Sequence, residues 1–95
     1  MSEIEKERRE RLQKMIVDMS MVPPTIAAWS DQVRLCMLEC GITNERVADR
    51  FEVATSTVAQ WKSGAAAPMI TAHKFVLAYL QAKLIDERNK IDEKE

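Results

Sequence analysis

The chain has 95 residues, enough for one compact domain. Apolar residues make up 46% of it, and there are only two glycines and three prolines. This composition favours packed helices over turn-rich β structure. The net charge of −1 excludes a polycation, so any nucleic-acid binding must depend on a few placed groups. No apolar stretch approaches the roughly 20 residues of a membrane span, and the N-terminus is charged rather than signal-like, so we expect a cytoplasmic protein without a membrane partner.

Residues 1–22 form a charged N-terminal unit with a predicted amphipathic helix over residues 2–21. One face of this helix carries apolar residues at helical spacing, namely Leu12, Met15, Ile16 and Met19. Val22, Pro23 and Pro24 end the helix because proline has no backbone N–H. The helix could be solvated or lie along DNA, but we expect a dimerisation arm whose stripe packs against the last helix of a second copy.

A second helix is predicted from about Ile26 or Ser30 to Glu39. Its apolar residues follow the helical period, and Gly41 is placed to end it in a left-handed conformation. A third helix, Asn44 to Phe51, follows with Thr43 as its N-cap.

A fourth helix is predicted to run from Thr55 or Ser56, either of which can cap it, to Lys62, with Gly64 after its end. Only the three residues 52–54 separate it from the third helix, so the two cannot fold back antiparallel and should cross steeply, as in a helix-turn-helix. Small and apolar side chains fill the wedge that this crossing requires: Val47, Ala48, Phe51, Val53, Val58 and Trp61.

The last helix is predicted from near Pro68 or Thr71 to about Asn89, and residues 81–95 form its extension and tail. Its apolar residues recur every seven positions, with one intermediate residue, at Ile70, Leu77, Leu80, Leu84 and Ile91. Such spacing suits helix-on-helix packing, either docking within the chain or dimerisation.

The cysteines and the single histidine predict no catalytic or metal site. Cys36 and Cys40 lie one helical turn apart without a third cysteine that could complete a zinc site. We expect them to be reduced residues in or near the core. His73 has no neighbouring nucleophile or carboxylate in the sequence, so we place it at a surface or an interface. The chain is therefore not expected to be an enzyme or to bind a cofactor.

Residues 42–51 (ITNERVADRF) and 53–64 (VATSTVAQWKSG), with Pro68 beyond them, resemble the Cro/repressor-like (XRE-type) helix-turn-helix family. The resemblance covers about residues 30–80. It implies an all-α, five-helix bundle with a lambda-repressor-like helix-turn-helix core in a DNA-binding domain over residues 26–80, and an additional N-terminal helix. Members of the family are mostly dimeric regulators whose second motif helix enters the major groove.

The resemblance also implies DNA-binding residues. It directs Thr55, Ser56 and Gln60 towards bases, and it places Asn44 and Thr57 near phosphates. The chemistry agrees, because Gln60 can form the bidentate pair that adenine presents and the hydroxyls suit base edges or backbone. Nearby cations are available for phosphates: Lys62, with Arg46 and Arg50 as further candidates.

Two features depart from the family pattern. Glu52 occupies the turn where the family usually has glycine, so either its backbone is strained or the turn differs. The loop at residues 65–67 has no basic residue for phosphates, and the N-terminal helix offers a substitute set: Arg8, Arg9, Arg11 and Lys14.

These observations predict a sequence-specific regulator of transcription, a repressor that binds an inverted-repeat operator in double-stranded DNA as a homodimer. Two recognition helices would then lie about 34 Å apart, one turn of DNA. The alternative from another class is a protein-interaction module, such as an antitoxin, that uses the helix-turn-helix fold to bind a partner protein. The near-neutral charge and the helices outside the motif keep this alternative open.

Overall fold

A computed structural model describes residues 2–23 and 25–94. Its elements are α1 (Glu3–Asp18), a 3-10 turn (Met19–Met21), α2 (Ile26–Cys40), α3 (Asn44–Phe51), α4 (Thr55–Ser63) and α5 (Ile70–Asp92). No strand occurs among these residues. The all-α prediction with five helices is therefore confirmed. Pro24, which we predicted to help end the first helix, lies outside the described residues, as do Met1 and Glu95 of the predicted terminal units.

The core is centred on Trp29 of α2, which connects three helices. Its indole ring packs edge-on against Trp61 of α4 at 5.8 Å between ring centroids and stacks on His73 of α5 at 4.6 Å. The indole Nε1 donates to the backbone oxygen of His73 at 3.2 Å, and the imidazole Nε2 lies 3.0 Å from the backbone oxygen of Pro68. The half-buried His73 thus anchors the start of α5 to the core, a role that the sequence did not indicate.

Helix α1 packs against α5 of its own chain. Leu12 and Ile16 of α1 and the following Met19 are buried in the same core as Leu80 and Leu84 of α5. The stripe that we assigned to the last helix of a second copy is therefore covered within the chain, and that part of the sequence interpretation is corrected. The period identified the apolar face but carried no information on which chain covers it.

Ion pairs connect α1 to both α2 and α5. The arginines that we offered as phosphate contacts are engaged here: Arg8 contacts Glu39 at 3.4 Å and Glu87 at 3.3 Å, and Arg11 contacts Glu39 at 2.9 Å. Arg9 pairs with Asp92. We call this set the α1 clamp. It corrects the suggestion that these three arginines anchor DNA, because acidic residues of α2 and α5 already neutralise them.

Most helix ends follow the predicted signals. Gly41 and Gly64 adopt left-handed conformations with φ of 64° and 81°, and the Thr43 hydroxyl accepts from the Arg46 N–H at 3.2 Å. The predicted caps of α4 are wrong, because Ala54 has the extended N-cap conformation and provides no side-chain hydrogen bond. The helix begins with the Ala54 carbonyl, which accepts from the Thr57 N–H at 3.0 Å.

Helix α5 extends three residues beyond the predicted end. Of the seven-residue repeat, Leu84 and Ile91 are buried and Leu77 is partly buried, whereas Ile70 in the first turn is 69% exposed. The intermediate Leu80 is buried. Val76 is also buried, although the repeat did not include it. Helix α5 contacts both α1 and α2, so its buried surface is wider than a single coiled-coil seam.

The cysteines are free thiols, as expected. Cys36 is in the core with its Sγ atom 3.6 Å from the Met19 Sδ atom, and burial raises the pKa of its thiol to about 12. Cys40 is half-buried, and burial raises its pKa to about 11. Both thiols are therefore protonated at neutral pH.

Candidate nucleic-acid interface

Helices α3 and α4 pack against each other, and α4 packs against α2. The inner side of the pair is formed by the buried Val47 and Ala48 of α3 and the buried Val58 and Trp61 of α4. Val53 in the connecting turn is partly buried against them. This packing fixes which side of α4 remains in solvent.

The solvent side of α4 carries all three of the residues that we predicted to contact bases. Thr55, Ser56 and Gln60 are exposed, and Thr57 is half-buried. Ser56 and Gln60 are four residues apart, so their side chains lie on the same helix face. These three residues therefore present two hydroxyls and one carboxamide to solvent, while the apolar residues of α4 hold it to the core.

A second cluster of polar side chains lies where α4 ends and α3 begins. The Lys62 Nζ donates to the Asn44 Oδ1 at 3.0 Å, so the structure brings together two residues that we predicted near phosphates. The Arg34 guanidinium of α2 donates to the Lys62 backbone oxygen at 3.4 Å and pairs with Asp31 at 2.9 Å. Arg34 is thus a third polar residue at this place.

Sequence reasoning missed Arg34. It lies in α2, before the motif, and its proximity to Lys62 results from the packing of α2 against α4. No local pattern in the sequence could have indicated that contact.

Arg46 and Arg50 differ in their surroundings. Arg46 is exposed on α3. Arg50 near the end of α3 has its guanidinium 5.2 Å from the Phe51 ring centroid and 5.8 Å from that of Tyr79. The structure therefore directs Arg50 towards α5, and the pair of Lys62 and Asn44 is the better-defined polar group beside α4.

The described residues show no arrangement for a metal ion. Within residues 2–23 and 25–94, no group of three or more His, Cys, Asp or Glu side chains is placed to hold one. None of the described helices has the length and apolarity needed to cross a membrane.

Comparison of the chain with protein-family models, curated proteins and solved structures gives no match. The resemblance to the Cro/repressor-like family therefore stays a prediction from the motif residues.

Proposed function

We propose that this chain is a sequence-specific regulator of transcription that binds double-stranded DNA through α4, acting as a repressor in a homodimer. The observation that carries the proposal is the two-sided character of α4. Ser56 and Gln60 are exposed on one side, and Val58 and Trp61 are buried on the other. A packed helix with hydrogen-bonding side chains on its free face is the arrangement that major-groove recognition uses.

The dimensions and chemistry of α4 are compatible with the groove. An α-helix with its side chains is about 10–12 Å in diameter, so α4 can enter the major groove, which is about 12 Å wide. The Gln60 carboxamide both donates and accepts, as the adenine edge requires, whereas Ser56 suits either a base or the backbone.

Phosphates would be bound beside α4 rather than by a basic tail. Lys62 contacts an amide oxygen, not a carboxylate, so its charge remains available to a phosphate. Asn44 at the first turn of α3 is close to the same position. With only a few such cations, binding should depend on salt less steeply than binding by a highly basic protein.

The experiment is selection of bound sequences from a random duplex pool, followed by titration of the best site with variants. We expect one inverted repeat with half-sites about one helical turn apart. Gln60→Ala and Ser56→Ala should each weaken binding by about 1–3 kcal/mol at the base they contact. Thr71→Ala, an exposed threonine of α5, is the matched control and should bind as wild type does.

A second variant separates base recognition from phosphate binding. Lys62→Ala should weaken binding to all duplexes alike and make the slope of log K against log salt shallower by about 0.9 for each phosphate that the variant no longer neutralises. The proposal fails if no motif is enriched and if the Gln60 and Ser56 variants bind duplex DNA as tightly as wild type does.

A further inference from the structure

An apolar cavity of about 400 Å³ lies between the end of α3, the start of α5 and the inner side of α4. Its walls are formed by Arg50, Phe51, Val53, Trp61, Pro68, Ala72, Phe75 and Val76. Apart from Arg50, every one of these side chains is apolar or aromatic. This cavity is separate from the polar group of Asn44, Lys62 and Arg34, and the proposed DNA contacts do not use it.

The rim of the cavity exposes a large aromatic side chain. Phe75 is 61% exposed, and Met69 just before α5 is 79% exposed. A single exposed apolar residue has little significance, but an exposed phenylalanine on the wall of an apolar cavity is typical of a binding surface.

Three cations lie over the aromatic rings on this side of the molecule. The Arg50 guanidinium covers Phe51 and Tyr79, the Lys74 Nζ is 5.5 Å from the Phe75 centroid, and the Lys83 Nζ is 5.4 Å from the Tyr79 centroid. None of the ion pairs found among residues 2–23 and 25–94 includes Arg50, Lys74 or Lys83. The cavity therefore has apolar walls, and the three cations beside it make no contact with a carboxylate of the described residues.

We propose that this surface binds a peptide segment of a partner protein in which an apolar side chain is flanked by carboxylates. The apolar side chain would enter the cavity against Phe75, and the carboxylates would pair with Arg50, Lys74 and Lys83. Burial of the aromatic wall provides affinity, and complementary charge provides orientation and specificity.

Charge argues against a second copy of the chain as the occupant. In a two-fold contact the same patch faces itself, so Arg50 and Lys74 of one copy would lie near those of the other. Like charges in that position oppose association.

The ring faces argue against a single-stranded nucleic acid. Bases bind such surfaces by stacking on open aromatic faces. Here the faces of Phe51, Phe75 and Tyr79 carry their own cations, and Phe51 and Tyr79 meet edge-to-face at 5.6 Å. An acidic peptide needs the cations where they are and needs no open ring face.

The test starts with a library of random peptides of about 12 residues displayed on phage and selected on the immobilised full-length chain. The most enriched peptide is synthesised, and its binding is measured by fluorescence anisotropy. We expect enriched sequences with Asp or Glu on both sides of an aliphatic or aromatic residue, and affinity that falls as salt is raised. Failure to enrich peptides, or enrichment of peptides without acidic residues, would overturn the proposal.

Variants locate the site. Phe75→Ala and the double variant Arg50→Gln, Lys74→Gln should each lower the affinity for the selected peptide at least tenfold. All three residues are exposed, so the variants should fold, which circular dichroism checks. Controls of the same kind elsewhere are Met21→Ala and Lys6→Gln, both exposed, and they should leave the affinity unchanged.

Other occupants give distinguishable results. If Phe75→Ala or the double variant converts a dimer to a monomer in sedimentation analysis, the surface is a contact between copies and the proposal is wrong. It is equally wrong if a short single-stranded oligonucleotide displaces the peptide and loses affinity in Phe75→Ala. Duplex binding by α4 is measured on Phe75→Ala, which lies outside the predicted DNA contacts, and should not change, so the failure of one proposal does not imply the failure of the other.

Discussion

The left-handed residue between α3 and α4 offers a direct test of how this turn is stabilised. Glu52 has φ of 57° and ψ of 45° and is the one non-glycine residue with positive φ among those described. An L-residue in this region costs about 1–2 kcal/mol because its Cβ approaches the carbonyl oxygen. Glycine avoids that cost but loses about 0.5–1 kcal/mol more backbone entropy on folding. Glu52→Gly should therefore stabilise the chain by about 0.5–1 kcal/mol, or about 2–8 °C in Tm.

The measurement is urea and thermal unfolding of the wild type, Glu52→Gly and Glu52→Ala. The alanine variant keeps the Cβ but removes the negative charge of Glu52 from the C-terminal end of α3. A negative charge there is unfavourable by a few tenths of a kcal/mol, so this variant isolates the effect of the charge. Gly41→Ala at φ of 64° should change stability in the opposite direction. The reasoning is refuted if Glu52→Gly is no more stable than Glu52→Ala.

Three further predictions concern the helix ends and the docking of α1. Ala54→Ser gives α4 the side-chain cap that it lacks and should raise the free energy of unfolding by about 0.5–1 kcal/mol in urea titrations; no change would mean that water or the backbone already satisfies the helix start. Leu12→Ala should cost about 2–5 kcal/mol because Leu12 is fully buried, whereas Leu38→Ala, at 78% exposed, should stay within about 0.5 kcal/mol of wild type; equal effects would contradict the docking of α1. The hydrogen bond from Arg9 lowers the pKa of Asp92 below its ordinary value of 3.8, so this ion pair stabilises the fold above that pH and loses its effect as the pH falls through the lowered pKa. The difference in Tm between wild type and Asp92→Asn should therefore shrink from pH 7 to pH 2. A difference that stays constant would contradict a stabilising ion pair between Arg9 and Asp92.

The sequence predicted those parts of the fold that depend on local signals. The left-handed ends at Gly41 and Gly64 and the Thr43 cap were found because each depends on one residue type at one position. The start of α4 was predicted wrongly, because Thr55 and Ser56 are better capping residues than Ala54. Only the turn after Glu52 decides which residue takes the extended N-cap conformation. For the proposed interface, the motif indicated α4 and its neighbours, while the contact of Arg34 depends on tertiary packing.

The docking of α1 also explains why a near-neutral chain is compatible with the proposed function. Net charge sums groups with different partners, and in the α1 clamp three arginines of α1 face three acids, Glu39, Glu87 and Asp92, so that their charges cancel. Those arginines are not available to phosphates, and those acids are already neutralised and do not repel them. Lys62, which contacts an amide, belongs to neither set. The α1 clamp thus adds nothing to the total of −1, and the charge that DNA would meet is decided by the few residues around α4.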